Sequence, residues 1–359
     1  MDEICVWCKM INSRMVVGQF VWFGVGGADR AAENLVRGLL CEPSIDLVVF
    51  YNEFSFPKYC SMHDPGVKIL SRWDNYKDLQ LIKIDNVVDL NKHSLDVLNT
   101  HRPGNDSSVL PGFESTQFNF KVVETNFHGR LKTKADYRVF PSSTMIKNVN
   151  VTCPYKIIPN PTKPPATLEN LRGELGIQNK FVFGRFATPG NTSYSNINLQ
   201  AYKKVENSNT VFIYVFPSNQ AKIDIANLRI KNIIFLDQTI DEVEISKMYN
   251  TFDVLCHGNS YGETFGNTIA EAMIHGKPVI SHVGARTWSQ AQPELLGDCA
   301  ELFITQDIVN NYAKGMQRLM TDRQYYLEVS AYLKGRADAL YDYRIVTKQY
   351  VDVYRTVIA

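Results

Sequence analysis

Two glutamates eight residues apart, Glu263 and Glu271, flank the pair Gly266 and Asn267. The stretch around them, Phe252 to Ser281, reads as strand, long loop, helix, strand. Asn267 is a favoured N-cap type, Thr268 to His275 carries the helix pattern, Gly276 suits the C′ position and Pro278 blocks continuation. Gly266 lets a ligand come close to the backbone. The helix start behind it offers free N–H groups and the positive end of a dipole, which suits a phosphate or diphosphate. Glu271, one turn into the helix, can accept hydrogen bonds from the vicinal hydroxyls of a ribose, and Glu263 can reach another part of the same ligand. A lone glutamate at a helix start is ordinarily solvated. Here the loop, the glycine, the cap, both carboxylates and the Gly-x-Pro exit together mark a site.

The elements that must position these groups are legible upstream and downstream. A strand over Val16–Phe23 meets a Gly-rich turn, Gly24-Val25-Gly26-Gly27, and then a helix with Ala28, Ala31, Ala32, Leu35, Val36, Leu39 and Leu40 on one stripe. Further strands are expected at 46–51, 67–70, 81–84 and 121–124. Residues 101–117, rich in Gly, Pro, Ser, Asn and Asp, read as a loop. Four prolines between Pro159 and Pro165 make a stiff connector. Alternation then restarts, with strands expected at 181–184, 211–216, 233–236, 252–256 and 278–281. Helices are expected at 196–204, 241–250 and 267–275, and the tail from Asp307 is mostly helical in pattern. Strands alternating with helices indicate an α/β fold with open parallel sheets, in which ligands bind at strand C-terminal ends.

The run Gly262-Glu263-Thr264-Phe265-Gly266-Asn267-Thr268-Ile269-Ala270-Glu271-Ala272-Met273-Ile274-His275-Gly276-Lys277-Pro278-Val279 resembles the donor-site signature of glycosyltransferase family four. These are retaining, nucleotide-sugar-dependent enzymes of the GT-B fold. Gly26-Gly27-Ala28-Asp29-Arg30 is similar to the family's N-terminal Gly-Gly-Ala-Glu-Arg turn, and Phe183-Gly184-Arg185 to its Gly-Arg strand end. The resemblance implies two Rossmann-like domains with parallel sheets facing a central cleft. Residues 1–160 would form the acceptor-side domain, 161–340 the donor domain, and 341–359 a helix crossing back. It implies a UDP- or GDP-sugar as donor, a carbohydrate acceptor, no permanently bound cofactor and no metal. Glu271 would hold the ribose and Glu263 would lie near the transferred sugar. Arg185 and the backbone around Thr264, Phe265, Gly266 and Asn267 would hold the diphosphate, beneath the Gly26–Gly27 turn. His128 is the candidate for the family's catalytic histidine. One departure stands out: Phe186 to Ser193 holds no Lys or Arg where the family places a lysine. Lys203, Lys222 and Arg286 are candidate substitutes.

Composition narrows the alternatives. The 359 residues carry 38 Lys plus Arg and 37 Asp plus Glu, a net +1 balanced in both halves, which argues against a nucleic-acid binder. With 45% hydrophobic residues the chain can offset its conformational entropy and fold. Seven cysteines, an odd number, imply no disulfide framework and suit a reducing, cytoplasmic setting. Cys5 and Cys8 read as small buried hydrophobes, because no second pair follows at zinc spacing. The acidic start, Met1-Asp2-Glu3-Ile4, is unlike a secretory signal, and Met15–Val25 is too short to span a bilayer, which leaves only peripheral membrane contact open. The sequons at Asn105, Asn150 and Asn191 are then expected to be unused. No Asp-x-Asp occurs, as fits a metal-independent donor site. The run Arg130, Lys132, Lys134, Arg138 reads as a solvated helix or loop face, the alternative being contact with an anionic acceptor. Two other readings remain: a catalytically silent GT-B protein that binds nucleotide or glycan, and a GT-B nucleotide-sugar epimerase.

Overall fold

The computed structural model describes residues 14–23, 26–52, 76, 79–101, 112–147, 149–186, 193–286 and 289–359. Cys5, Cys8, the Met1–Ile4 start, the strand expected at 67–70, Gly24, Val25, residues 187–192 and the sequons at Asn105 and Asn191 lie outside the described residues. The chain divides into two compact units. The first takes its described residues from Met1–Pro141, Asn148–Pro161 and Tyr343–Ala359; the second takes them from Ser142–Lys147 and Thr162–Asp342.

In the first unit, β1 (Met15–Phe20), β2 (Ile45–Tyr51), β3 (Gln80–Lys83), β4 (Val97–Thr100), β5 (Lys121–Thr125), β6 (Tyr137–Phe140) and β7 (Tyr155–Ile157) form one parallel sheet. Its order is β3-β2-β1-β4-β5-β6-β7, the doubly wound pattern with a switch point between β1 and β4. Between β1 and β2 runs helix α1 (Gly27–Leu40), with Gly26 as N-cap, and Asp29 Oδ2 accepts from the Gly26 N–H at 3.0 Å. Three of these strands, β4, β6 and β7, escape a reading by apolar runs. β4 is Val-Leu-Asn-Thr, and its two polar residues are buried.

In the second unit the strands are β8 (Phe181–Phe186), β9 (Thr210–Val215), β10 (Ile233–Leu236), β11 (Val254–Cys256), β12 (Val279–His282) and β13 (Phe303–Ile304), all parallel, in the order β10-β9-β8-β11-β12-β13. Helices α2 (Ile197–Val205), α3 (Asn219–Asn227), α4 (Glu242–Thr251), α5 (Asn267–Ile274), α6 (Gln292–Leu296), α7 (Ile308–Thr321) and α8 (Arg323–Leu340) complete it. The sheet is apolar on both faces because helices cover both; Phe183, Phe212, Leu255 and Ile280 are buried at its centre. Its switch point falls between β8 and β11.

The last helix, α9 (Tyr343–Ile358), belongs to the first unit although it follows the second in sequence. Its Val346, Tyr350, Val351 and Tyr354 join the core with Leu35, Val36 and Leu39 of α1. The two helices approach so closely at Gly38 that a Cβ there would meet Thr347 Oγ1 at 1.9 Å. Tyr354 and Tyr350 also complete a buried polar network. Gln19 Nε2 donates to Tyr354 Oη at 2.9 Å, Asn99 Nδ2 donates to the same oxygen at 3.0 Å, and Thr125 Oγ1 lies 3.2 Å from Tyr350 Oη.

The basic run needs one correction. Arg130, Lys132 and Lys134 are exposed, but Arg138 lies within β6 and is 3% exposed. The parallel register sets Arg138 opposite Glu124 of β5, with Nε 3.8 Å from Oε1. A buried charge persists only when paired in this way.

Removing the Tyr354 hydroxyl leaves Gln19 Nε2 without its acceptor in a dry interior. Tyr354→Phe should lower stability by about 1–3 kcal/mol in urea denaturation. Tyr261→Phe, at an exposed tyrosine, should change it by less than about 0.5 kcal/mol. Equal midpoints for the two variants would contradict the network's role.

Candidate functional site

The C-terminal ends of β8 and β11 sit side by side at the switch point of the second sheet. Arg185, near the end of β8, is 4% exposed. Its Nη1 donates to Ser195 O at 2.7 Å and Asn198 Oδ1 at 2.9 Å, and its Nη2 donates to Gly258 O at 2.7 Å. Asn198 in turn donates to Cys256 O at 3.1 Å. One guanidinium therefore ties β8 to the start of α2 and to the loop leaving β11. Its Nε–H is buried and has no partner among the described residues, nor does any carboxylate there lie within ion-pair distance. Tyr194 and Tyr214 rings lie 5.6 Å and 5.2 Å from the guanidinium carbon.

These groups open on a cavity of about 80 Å³ lined by Arg185, Tyr194, Tyr214, His257, Glu263 and Thr268, among others. Burial pushes the phenols of Tyr194 and Tyr214 up, so both stay protonated and neutral. His282 is 1% exposed beneath the same loop, and burial pushes it down to about 4. Its Nε2 lies 3.0 Å from Ser195 Oγ and its Nδ1 2.8 Å from Val283 O.

Glu263 is partly buried, and its Oε1 accepts from His257 Nε2 at 3.0 Å and Asn259 Nδ2 at 2.9 Å. Its backbone is fixed as well, since Ala291 N–H donates to Glu263 O at 2.9 Å. Thr264 O accepts from Ser142 Oγ at 2.5 Å. Phe265 turns its ring into the core, edge-on to Tyr341 at 5.5 Å, and is 2% exposed. Gly266, and not Asn267, is the N-cap of α5: at φ 106° it takes a left-handed conformation that a side chain would strain, and Asn267 becomes the first helical residue. The N–H groups of Ile269 and Ala270 both reach Gly266 O, at 3.0 and 3.1 Å. Glu271 Oε2 accepts from Tyr249 Oη at 2.6 Å. The Tyr249 ring stacks at 4.3 Å on Phe186, the last residue of β8.

Arg185, Glu263, Thr264, Phe265, Gly266, Asn267 and Glu271 thus all belong to the second unit, while Gly26, Gly27 and His128 belong to the first. There, Gly26 caps α1, and His128 stands exposed on a turn held by Asn126 Oδ1, which accepts from His128 N at 3.1 Å and Gly129 N at 2.8 Å. Asn126 is itself fixed by Glu124 Oε1 at 2.7 Å. Of the substitute cations, Lys203 is committed to Glu206 at 2.8 Å and Arg229 O at 2.7 Å, and Arg286 lies over the Tyr261 ring at 4.1 Å. Lys222 is exposed on α3. His257, Asn259, Tyr194 and Tyr214 are the members that sequence reasoning omits. Only His257, a polar residue directly after a strand in an open α/β sheet, carried a usable signal. Among the described residues, no group of three or more His, Cys, Asp or Glu is placed to hold a metal ion. No helix among them is long and apolar enough to cross a membrane.

Residues 179–322 match the family model described as Glycosyl transferases group 1. No curated protein matches the chain. Among solved structures, HepE of Anabaena in complex with UDP and glucose is similar, with a TM-score of 0.72 at 16% identity, over 96% of this chain and 100% of that one. A glycosyltransferase of Rickettsia africae gives 0.72 at 13% identity, over 96% and 99%. Sucrose-phosphate synthase of Thermosynechococcus elongatus gives 0.69 at 14% identity, over 96% and 99%. These likenesses establish the fold, which is GT-B.

The buried His282 makes a pH prediction. Its pKa falls from 6.5 to about 4 on folding, so between those values the unfolded chain binds the proton and the folded chain does not. Stability therefore declines as pH drops through that window, by up to about 3 kcal/mol. His282→Gln should reduce the slope of this part of the urea-midpoint profile, the likewise buried His101 supplying the remainder; a profile with unchanged slope would refute the assignment.

Proposed function

We propose that the protein is a glycosyltransferase that takes a sugar from a nucleoside diphosphate sugar and attaches it to a hydroxyl of a carbohydrate acceptor. The observation that carries this reading is the cavity at the β8–β11 switch point. It holds a buried guanidinium without a carboxylate partner among the described residues, and Glu263 and Thr268, the latter in the first turn of α5, also line it. A buried, uncompensated cation is costly unless an anion completes the site. The match of residues 179–322 to Glycosyl transferases group 1 covers this same region. HepE, whose fold this chain shares, is described with UDP and glucose.

The roles follow from chemistry. Arg185, with amides at Phe265 and Gly266 and the start of α5, would meet the diphosphate. As the anomeric C1–O bond breaks, charge develops on the leaving phosphate, and fixed donors aimed there stabilise it without reorganising. Glu271, whose Oε2 accepts from Tyr249 Oη, is the carboxylate that would take the ribose hydroxyls. Glu263, braced by His257 and Asn259, would face the transferred sugar. Gly26, Gly27, His128, Thr264 and Asn267 complete the assignment by the motif. Retention of anomeric configuration is likewise taken from the family the motif resembles, as is independence from a bound metal.

The test is a thermal-shift panel of nucleoside diphosphates and their sugars, since a ligand bound only to the native state raises the melting temperature. At least one UDP- or GDP-sugar should do so, and product analysis by NMR should then show transfer or slow hydrolysis. Glu271→Ala should weaken donor binding by about 10- to 100-fold, the worth of one charge-assisted hydrogen bond or slightly more. Calorimetry giving the same donor affinity for wild type and Glu271→Ala would remove the ribose role.

A further inference from the structure

Behind Glu263 the second sheet assembles a buried chain of hydrogen bonds. β11 and β12 run parallel with Cys256 opposite Ile280, so the residues that follow, His257 and Ser281, also face each other. The His257 backbone is held at both ends. Its N–H donates to Ile280 O at 2.9 Å, and its carbonyl accepts from Tyr312 Oη at 2.9 Å. His257 is 7% exposed and Ser281 is fully buried. His257 Nδ1 lies 2.8 Å from Ser281 Oγ, and its Nε2 lies 3.0 Å from Glu263 Oε1. Asn259 braces the same oxygen. Its Oδ1 accepts from Tyr261 N–H at 3.0 Å, which leaves Nδ2 to donate to Glu263 Oε1 at 2.9 Å.

The direction of each bond follows from the groups involved. An ionised carboxylate only accepts, so His257 Nε2 carries the hydrogen directed at Glu263. The Ser281 hydroxyl has Nδ1 as its one partner among the described residues and donates there, which fixes a neutral ring in the Nε2–H tautomer. Both donors that reach Glu263 fall on Oε1. Oε2 has no partner among the described residues, and the Glu263 side chain is 25% exposed and lines the cavity. Glu263 and Arg185 are the one carboxylate and the one permanent cation among the lining residues. With Arg185 directed at the diphosphate, a sugar beside Glu263 meets a negative acceptor and no second cation. A hydroxyl can donate to that oxygen. A carboxylate on the sugar would be repelled by it.

We propose that Ser281 and His257 are positioning residues that aim Glu263 as a hydroxyl acceptor, so that the site takes nucleoside diphosphates of neutral, hydroxyl-bearing sugars and rejects those of uronic acids. Ser281 donates to His257 Nδ1, His257 donates from Nε2 to Glu263 Oε1, and Oε2 is left for a hydroxyl of the sugar. Neither Ser281 nor His257 touches the sugar; both act through Glu263. Calling the ligand a donor sugar rests on the glycosyltransferase reading; the chain of bonds does not.

The test is calorimetry on the full chain with UDP, UDP-glucose, UDP-galactose and UDP-glucuronate, and with GDP, GDP-mannose and GDP-mannuronate as the guanosine series. A neutral-sugar conjugate should bind at least about tenfold more tightly than the uronate of the same base. His257→Leu should erase most of that ratio while changing affinity for the bare diphosphate less than about threefold, and His257→Gln, which keeps a donor for Glu263, should restore the ratio. Ser281→Ala should reduce it too, and stands in if His257→Leu does not fold. A uronate that binds as tightly as the neutral sugar overturns the proposal. So does a His257→Leu variant that loses the bare diphosphate and its conjugates alike and is not rescued by glutamine, which would make the chain merely structural. Failure of the wild type to bind any nucleoside diphosphate would instead sink the donor reading. The chain is then read without ligand from the ¹⁵N shifts of the His257 ring, assigned by their loss in His257→Gln. At mildly alkaline pH they should report the Nε2–H tautomer and change in Ser281→Ala; a ring protonated at Nδ1 overturns the chain.

Discussion

The second unit is organised around a guanidinium taken out of water. Burying a cation removes its hydration, and only acceptors held in place can replace it. Arg185 meets this with the carbonyls of Ser195 and Gly258 and the amide oxygen of Asn198. Those three groups come from the turn before α2, the loop after β11 and the first turn of α2. Because the guanidinium is planar and its donors are fixed in a fork, satisfying it fixes all three segments at once, which a flexible lysine ammonium would not do. The geometry of the loop leading to Glu263 therefore depends on a side chain in another strand.

A second buried arginine shows what a closed arrangement looks like. Arg138 faces Glu124 across adjacent parallel strands, and Thr133 bonds to both side chains. The charge is cancelled inside the protein, and Asn126 passes the constraint to the turn that carries His128. Arg138 is thus a structural pair, and it holds a turn. Arg185 has acceptors but no opposite charge among the described residues, so its field extends into the cavity it lines. This difference in compensation, with burial almost equal at 3% and 4%, separates a structural arginine from a candidate ligand-binding one.

The same distinction explains what could be seen in the sequence. The α/β class and the strand–loop–helix–strand unit around Gly262–Val279 are legible because their signals are local: apolar strands, a glycine, Gly-x-Pro. The position of the cap is misread by one residue, since Asn267 has the better side chain for it and Gly266 the backbone freedom. Strand β4 is hidden because two of its four residues, Asn99 and Thr100, are polar yet buried, Asn99 for hydrogen bonding to Gln19 and Tyr354. Arg138 reads as part of a solvated basic run because its partner lies fourteen residues upstream, beside it only through the register of β5 and β6. Tyr194, Tyr214 and Asn259 join the site only through the fold, and no spacing rule connects them to Glu263.

The absence of a lysine between Phe186 and Ser193 can then be weighed physically. Around the cavity, Tyr194 and Tyr214 stay protonated, so neither phenol adds negative charge. Glu263 is drawn to His257 and Asn259, which spread its charge over two donors. Arg185 spends three N–H groups on neutral acceptors of the protein, and its buried Nε–H has no partner among the described residues, so its charge is not cancelled by a carboxylate there. The start of α5 adds a positive dipole end within the same loop, where the left-handed Gly266 turns the chain into the helix. Few charges are present, but they are buried or fixed, and in a low-dielectric site a fixed donor acts more strongly than a mobile lysine at the surface.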